Sequence, residues 1–312
     1  MRAVRVTAEG PGVVKVDEPG GDGLLMEVSS SSICGTDLNF MGMGALDFTF
    51  GHEFAGYVDG TAYAVEPTVS CGECEQCRAG FTQRCVGTHS NLGIFSDGGL
   101  ADRARVPAQN LVPLPSGLSI DDACLVEPAA VAYHGVQRAA VNPGERVVVL
   151  GGGSIGLLVA AALRREGHQA DIEARHPHQR AAAERLGARQ AGPSAGNYDV
   201  VIEAVGTESG IARCAQLARP GGRVVLLGVF PQIVPVPGVT TLVSELTWIG
   251  AMAYGRGRDG VRDVEHAAGL LAADPEIART LITHRFPLDD AIEAVRVAGD
   301  RAAGAIKVSL HP

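Results

Sequence analysis

The 312-residue chain has no excess of basic charge, no unbroken apolar run of bilayer length, no internal repeat and no low-complexity tract. Each absence excludes something. A net charge of −9 argues against nucleic acid and anionic membrane as partners, because either needs a basic face. The most apolar stretch, 147–163, is interrupted by four glycines and falls short of the roughly 20 residues that span a bilayer. Residues 1–16 carry neither an apolar leader core nor a small-residue cleavage site, so no secretory signal is expected. What remains is ordinary globular composition, 46% hydrophobic and 20% charged, and a length that suits two domains. The seven cysteines are unevenly spread, with four between Cys71 and Cys85. In a cytoplasmic protein such clustering points to metal ligands sooner than to disulfides.

The texture changes near Glu127. Before it, short apolar pieces at 3–6, 24–28 and 101–106 are broken by Gly, Pro and Asp, which predicts a β-rich, barrel-type domain without long helices. After it, helix-like and strand-like runs alternate: helix 129–140, strand 146–150, helix 154–166, strand 170–174, helix 178–186, strand 198–204, helix 210–218 and strand 223–228. That alternation predicts a doubly wound parallel sheet, an α/β domain beside the β-rich one. A helix at 261–273, a strand at 282–287, a helix at 288–298 and a strand at 305–310 close the chain.

The run Val147–Leu150 leads directly into Gly151, Gly152, Gly153, Ser154, Ile155 and Gly156, then an apolar helix. Gly151 would permit the tight turn, Gly153 would let the backbone approach a pyrophosphate, and Gly156 would let the helix pack on the strand. Ser154 and Ile155 open that helix, whose free N–H groups and dipole favour phosphate. An acid at the end of the next strand would bind an adenosine ribose; an Arg in its absence suits a 2′-phosphate. Counting back from Leu186 puts Ala174 at that position, with Arg175 and Arg180 as phosphate partners and His176 and His178 nearby. Glu173 is the rival, but adjacent strand residues face opposite sides and only one of the pair can point at the ribose. The pattern predicts NADP over NAD; a merely solvated basic turn is the bland alternative.

Two sets of metal-ligand residues stand apart. Cys71, Cys74, Cys77 and Cys85 form C-x2-C-x2-C-x7-C, sufficient to close a tetrahedral structural zinc site; the spacing differs from iron–sulfur runs, and Val86 follows where Pro is usual. Cys34, within Cys-Gly-Thr-Asp, and His52, within Gly-His-Glu, are two candidate ligands of a catalytic zinc, which needs three protein ligands and one open position. Glu127, at the junction of the two textures, is the candidate third. Taken singly, each has a dull reading as core thiol, satisfied histidine or helix-start acid.

Together these motifs resemble the zinc-dependent medium-chain alcohol dehydrogenases, in particular the sorbitol and polyol branch, over nearly the whole chain. The resemblance implies a GroES-like β-barrel catalytic domain at 1–127, a Rossmann domain at 128–252 and a return to the catalytic domain at 253–312. It implies hydride transfer between a small alcohol or polyol, or the matching aldehyde or ketone, and NADP(H), with zinc acidifying the hydroxyl. Cys34 thiolate, Glu127 carboxylate and neutral His52 together neutralise Zn²⁺. Glu53 would lie behind the ligands or replace one when the metal shifts, and Asp37 would orient His52. Thr36 matches the hydroxyl that takes the substrate proton. Relatives are homodimers or homotetramers. Two departures stand out: Asn39 replaces a relay histidine and cannot titrate, and the segment 54–65 is shorter than the usual hairpin. The rival readings are a zinc-stabilised nucleotide-binding protein without catalysis and a quinone or enoyl reductase on the same fold. Phe40, Met41, Phe48 and Phe95 could line a substrate pocket or belong to the core.

Overall fold

A computed structural model describes residues 1–44, 46–87, 89–192, 196–257 and 259–312. Contacts divide the chain into two compact units, Met1–Glu127 with Val264–Pro312, and Pro128–Asp263. The resemblance places the return to the first domain at 253, whereas the described residues of 253–263 group with the second unit. The anchor is Asp263, fully buried, which accepts the Gly255 N–H at 2.7 Å and sits 2.8 Å from His134 Nδ1 in the helix Val126–Ala139.

The first unit is built on a seven-stranded sheet. Its order runs Ile282–Pro287, Lys307–His311, Leu24–Ser32, Glu53–Val58, Thr61–Val65 and Leu111–Pro113, and Arg103–Val106 also pairs with Leu24–Ser32. The C-terminal strand therefore lies beside Leu24–Ser32, with Ser309 opposite Ser32, and Ser32 is in turn opposite Glu53. This register sets side chains from three distant stretches in one row. The shortened hairpin closes through Asp59 and Gly60, both at positive φ (47° and 76°), with Val58 paired to Thr61. Asp-Gly is the two-residue turn whose twist matches that of the flanking strands, so the ladder runs unbroken up to the turn.

Phe40, Met41 and Phe48 pack into the core cluster around Phe50 and Leu288, while Phe95 meets Phe40 edge-to-face at 6.1 Å and stays exposed. A seven-residue helix, Gly35–Met41, was not legible in the sequence. It buries only Asp37 and Met41, too little for a visible apolar period.

The second unit is a six-stranded parallel sheet in the order Arg189–Gln190, Ala170–Glu173, Val147–Leu150, Tyr198–Glu203, Ala218–Leu226 and Thr247–Gly250. Numbered within the unit, this is the 3-2-1-4-5-6 order of a doubly wound fold, as the alternation predicts. Val147–Leu150 is buried throughout, which its unbroken apolar run requires of a central strand. In the helix Ser154–Arg165 every residue from Gly156 to Leu163 is buried. The order reverses between Val147–Leu150 and Tyr198–Glu203, and a ligand crevice belongs at the carboxyl ends of strands at that reversal. No helix among the described residues is long and apolar enough to cross a membrane.

Candidate metal centres and nucleotide cradle

Cys34 immediately precedes the helix Gly35–Met41, and its N–H donates to Asp37 Oδ2 at 2.8 Å. Asp37 is buried, and its other oxygen lies 3.3 Å from His52 Nδ1, close but not aligned for a hydrogen bond. The sharp backbone before His52 depends on Gly51 at φ +95°, where a Cβ would lie 2.6 Å from Leu100. Ligand atoms of Cys34, His52 and Glu53 all fall within 4.8 Å of one another. Burial opposes charge on His52, but Asp37 and Cys34 outweigh it and hold the imidazolium well above its usual range.

The trio differs from the expected set, because Glu53 stands in it and Glu127 lies outside. Glu127, in the first turn of Val126–Ala139, is nonetheless close enough for its charge to interact with His52, Glu53, Lys307 and Asp37. Burial pushes its carboxyl up to about 7, with His52 pulling the other way. Among the described residues no donor pairs with this carboxylate. Glu53 is fully satisfied: Lys307 Nζ donates to both its oxygens at 2.7 and 2.8 Å, and the Ser32 hydroxyl donates to it as well. Lys307 also donates to the Ile33 carbonyl at 3.2 Å and is 3% exposed. Thr36 is half-buried and Asn39 exposed on the helix Gly35–Met41. A thiol, an imidazole and an unpaired buried carboxylate in an anionic setting fit a divalent cation.

Cys71, Cys74, Cys77 and Cys85 form the second centre, again with all sulfur atoms within 4.8 Å. Cys71 Sγ is 3.4 Å from Cys85 Sγ and 3.8 Å from Cys77 Sγ, and none of the four is disulfide-bonded. Backbone N–H groups of Cys77 and Val86 lower the Cys74 thiol to about 6, those of Glu73 and Cys74 lower Cys71, and burial raises Cys77 to about 11. Gly87 hugs the cluster; a Cβ there would come 2.8 Å from Cys71 Sγ. Four convergent thiols with N–H groups directed at them suit a closed tetrahedral zinc site.

At the glycine-rich turn, Gly151 has φ +113°, and a Cβ on it would crowd Val205 and the Ala204 carbonyl. A Cβ at Gly156 would overlap the Gly151 carbonyl oxygen, so the helix can approach the turn only as glycine. Gly153, which caps Ser154–Arg165, faces open space. Ser154 and Ile155 follow in the first turn with their N–H groups outside the helix ladder. Ala174 is buried beneath the turn, where a Cβ on Gly152 would meet it at 2.7 Å. Glu173 faces the other way, gripped by Arg213 through contacts of 2.5 to 3.1 Å. Arg180 folds back onto the carbonyls of Arg175 (2.7 Å) and Ala174 (3.4 Å), Arg175 is exposed, and the rings of His176 and His178 stack at 5.5 Å.

Lys307, Ser32, Arg213 and Glu203 belong to none of the motifs that the sequence displays. Glu203 ends its strand fully buried and accepts the N–H groups of Val205 and Gly206, both at 2.8 Å, bracing the loop beside Gly151. Lys307 left little signal: it shares one face of its strand with Ser309 and His311, a polar row that reads as solvent-facing, while Val308 and Leu310 on the other face join the core.

Comparison with known proteins gives consistent matches. The alcohol dehydrogenase GroES-like domain family matches residues 20–116, and the glucose dehydrogenase C-terminus family matches residues 120–310. The chain is 31% identical to the L-galactonate-5-dehydrogenase of Escherichia coli (strain K12) over 299 residues, 86% of this chain and 86% of the relative. A solved structure from Sinorhizobium meliloti 1021, described as a zinc-binding dehydrogenase bound to NADP, is similar with a TM-score of 0.86 and 32% identity, covering 100% of this chain and 99% of that one. Galactitol-1-phosphate dehydrogenase from Escherichia coli covers 100% of both chains at a TM-score of 0.88 and 25% identity.

Proposed function

This chain belongs to the zinc-dependent medium-chain alcohol dehydrogenases, in their sorbitol and polyol branch, and on that premise we propose that it oxidises a secondary hydroxyl of a polyol or sugar acid with NADP, or runs the reverse reduction. The observation that carries this reading is the set of half-buried Cys34 with buried His52 and Glu127, beside a Glu53 already neutralised by Lys307. In this reading Cys34 and Glu127 supply the negative charge and His52 a neutral donor for zinc. Bound there, zinc supplies the Lewis acidity that makes a hydroxyl proton easy to remove. Asp37, 3.3 Å from His52 Nδ1, would favour the tautomer that leaves the other ring nitrogen to the metal. Thr36 would take the substrate proton; the exposed amide of Asn39 cannot titrate, so the proton would need water or another route out. Gly151, Gly153, Ser154, Ile155 and Gly156 would hold the dinucleotide, which would supply the hydride-accepting nicotinamide.

Several features support NADP. Ala174 offers no carboxylate beneath the glycine turn, Glu173 is occupied by Arg213, and Arg175 and Arg180 are at hand for a 2′-phosphate. The Sinorhizobium relative was solved with NADP. The polyol or sugar-acid class rests on the activities named for the relatives. Cys71, Cys74, Cys77 and Cys85 hold a second, structural zinc in this reading. The enzyme is read as cytoplasmic and homo-oligomeric. In support of the latter, Thr247–Gly250 is an outer strand paired on one side among the described residues, near exposed Val239, Leu242, Val243 and Met252. The test is a panel of hexitols, pentitols and aldonates assayed with NADP and NAD, alongside metal analysis. NADP-dependent turnover with two zinc ions per chain is expected; absence of metal, or turnover confined to quinones or enoyl substrates, would refute the reading.

A further inference from the structure

Two carboxylates, Glu53 and Glu127, stand near the thiol and imidazole of the buried centre. Glu53, not Glu127, is the carboxylate grouped with Cys34 and His52 within 4.8 Å, so proximity alone would make Glu53 a ligand. If Glu53 joined Cys34, His52 and Glu127 on zinc, four protein ligands would close the tetrahedron and leave no position for a substrate oxygen. They would also carry one negative charge more than the cation cancels. Lys307 removes both problems. Its ammonium holds both Glu53 oxygens, the Ser32 hydroxyl takes further acceptor capacity, and the Ile33 carbonyl anchors the ammonium in turn. The pair is almost wholly excluded from water, at 3% and 1% side-chain exposure, so neither charge can be compensated by solvent.

We propose that Lys307 is a positioning residue that holds Glu53 off the metal and thereby keeps one coordination position vacant for substrate. The proposal rests on the zinc reading above and deepens it. An ammonium is suited to this work because it is a compact charge with three donors, here spent on Glu53 and Ile33.

The test compares wild type, Lys307→Met, Lys307→Arg and the double variant Lys307→Met/Glu53→Gln, each loaded with cobalt(II) in place of zinc. Imidazole is the probe ligand, read by the visible absorption of cobalt. A four-thiolate site has no vacancy and stays silent, so the response reports the buried centre alone. Wild type and Lys307→Arg are expected to answer imidazole. Lys307→Met is expected to lose the response, to give up its zinc to a chelator more slowly, and to lose about 10–100-fold in kcat. The double variant, with neither charge, is expected to regain the imidazole response. A Lys307→Met protein that answers imidazole as wild type does would overturn the proposal. So would a double variant no better than the single one. A Lys307→Met chain that fails to fold with metal present, while the double variant folds, would mean Glu53 stayed unpaired instead of taking the metal, and that too overturns it. If wild type itself shows no cobalt response to imidazole, the zinc reading fails, a result distinct from failure of the clamp.

Discussion

The two candidate metal centres differ in how the chain builds them. The four-cysteine centre is drawn from Cys71 to Cys85, its thiols are partly exposed, and its own backbone N–H groups point at the sulfur atoms. The buried centre collects Cys34, His52, Glu53, Glu127 and Lys307, with Glu53 and Lys307 standing 254 residues apart in sequence. A contiguous segment can supply four equivalent ligands and stop. The buried centre holds one carboxylate more than an open site needs, and that carboxylate, Glu53, is the one paired with Lys307. The four-cysteine centre thus depends on local sequence, and the buried centre on strand register.

The strongest way to break this comparison is to remove one thiol from each centre. Cys34→Ser is expected to abolish turnover by orders of magnitude while the cysteine lobe keeps its zinc, seen as loss of one metal per chain in elemental analysis. Cys74→Ser is expected to do the converse. It loses the lobe's metal, exposes residues 71–87 to protease and lowers Tm by about 2–4 °C for each kcal/mol of stability lost, yet the buried centre still responds to imidazole. If Cys74→Ser silenced the buried centre too, the two would not be independent units.

A smaller effect is expected from Arg175→Ala, which leaves both metals in place. Losing a charged hydrogen bond to a 2′-phosphate should lower the NADP to NAD preference in kcat/KM by roughly 10–100-fold. An unchanged ratio would move the selectivity elsewhere on the turn.

The smallest effect is also the sharpest contrast, because the two centres should respond to pH with opposite sign once metal is stripped. Glu127 is raised to about 7 by burial, so its contribution to stability is full below about 4.5 and is lost as pH rises through 7. Glu127→Gln should therefore stabilise the stripped protein at pH 8 and lose that advantage toward pH 4.5. Cys74 is lowered to about 6 by backbone donors, so its contribution is full above about 9 and is lost as pH falls through 6. Cys74→Ala should cost most at pH 9 and least below 6. Thermal melts of the stripped variants across this range check both slopes.

The same contrast explains what the sequence made legible. The cysteine spacing, the glycine turn and the strand–helix alternation are local patterns, and local patterns survive being read one window at a time. Gly151 and Gly156 receive separate tasks from their spacing alone, and the φ of Gly151 and the close packing at Gly156 fit those tasks. Ala174 is preferred over Glu173 by counting back from Leu186, and the arginine that occupies Glu173 could not be foreseen from that count. Lys307 stayed hidden because its meaning depends on which strand lies beside it. The helix Gly238–Val243 stayed hidden for the opposite reason. It buries none of its residues, so no apolar period marks it. Arg189–Gln190 is a two-residue strand with both residues exposed, too short to leave any pattern.

The register that sets Ser309 against Ser32, and Ser32 against Glu53, also has a temporal consequence. During synthesis Glu53 emerges long before the ammonium that restrains it. Neutralisation of Glu53 therefore cannot precede docking of Lys307–His311 beside Leu24–Ser32, so charge balance in the buried centre waits on a strand 254 residues away.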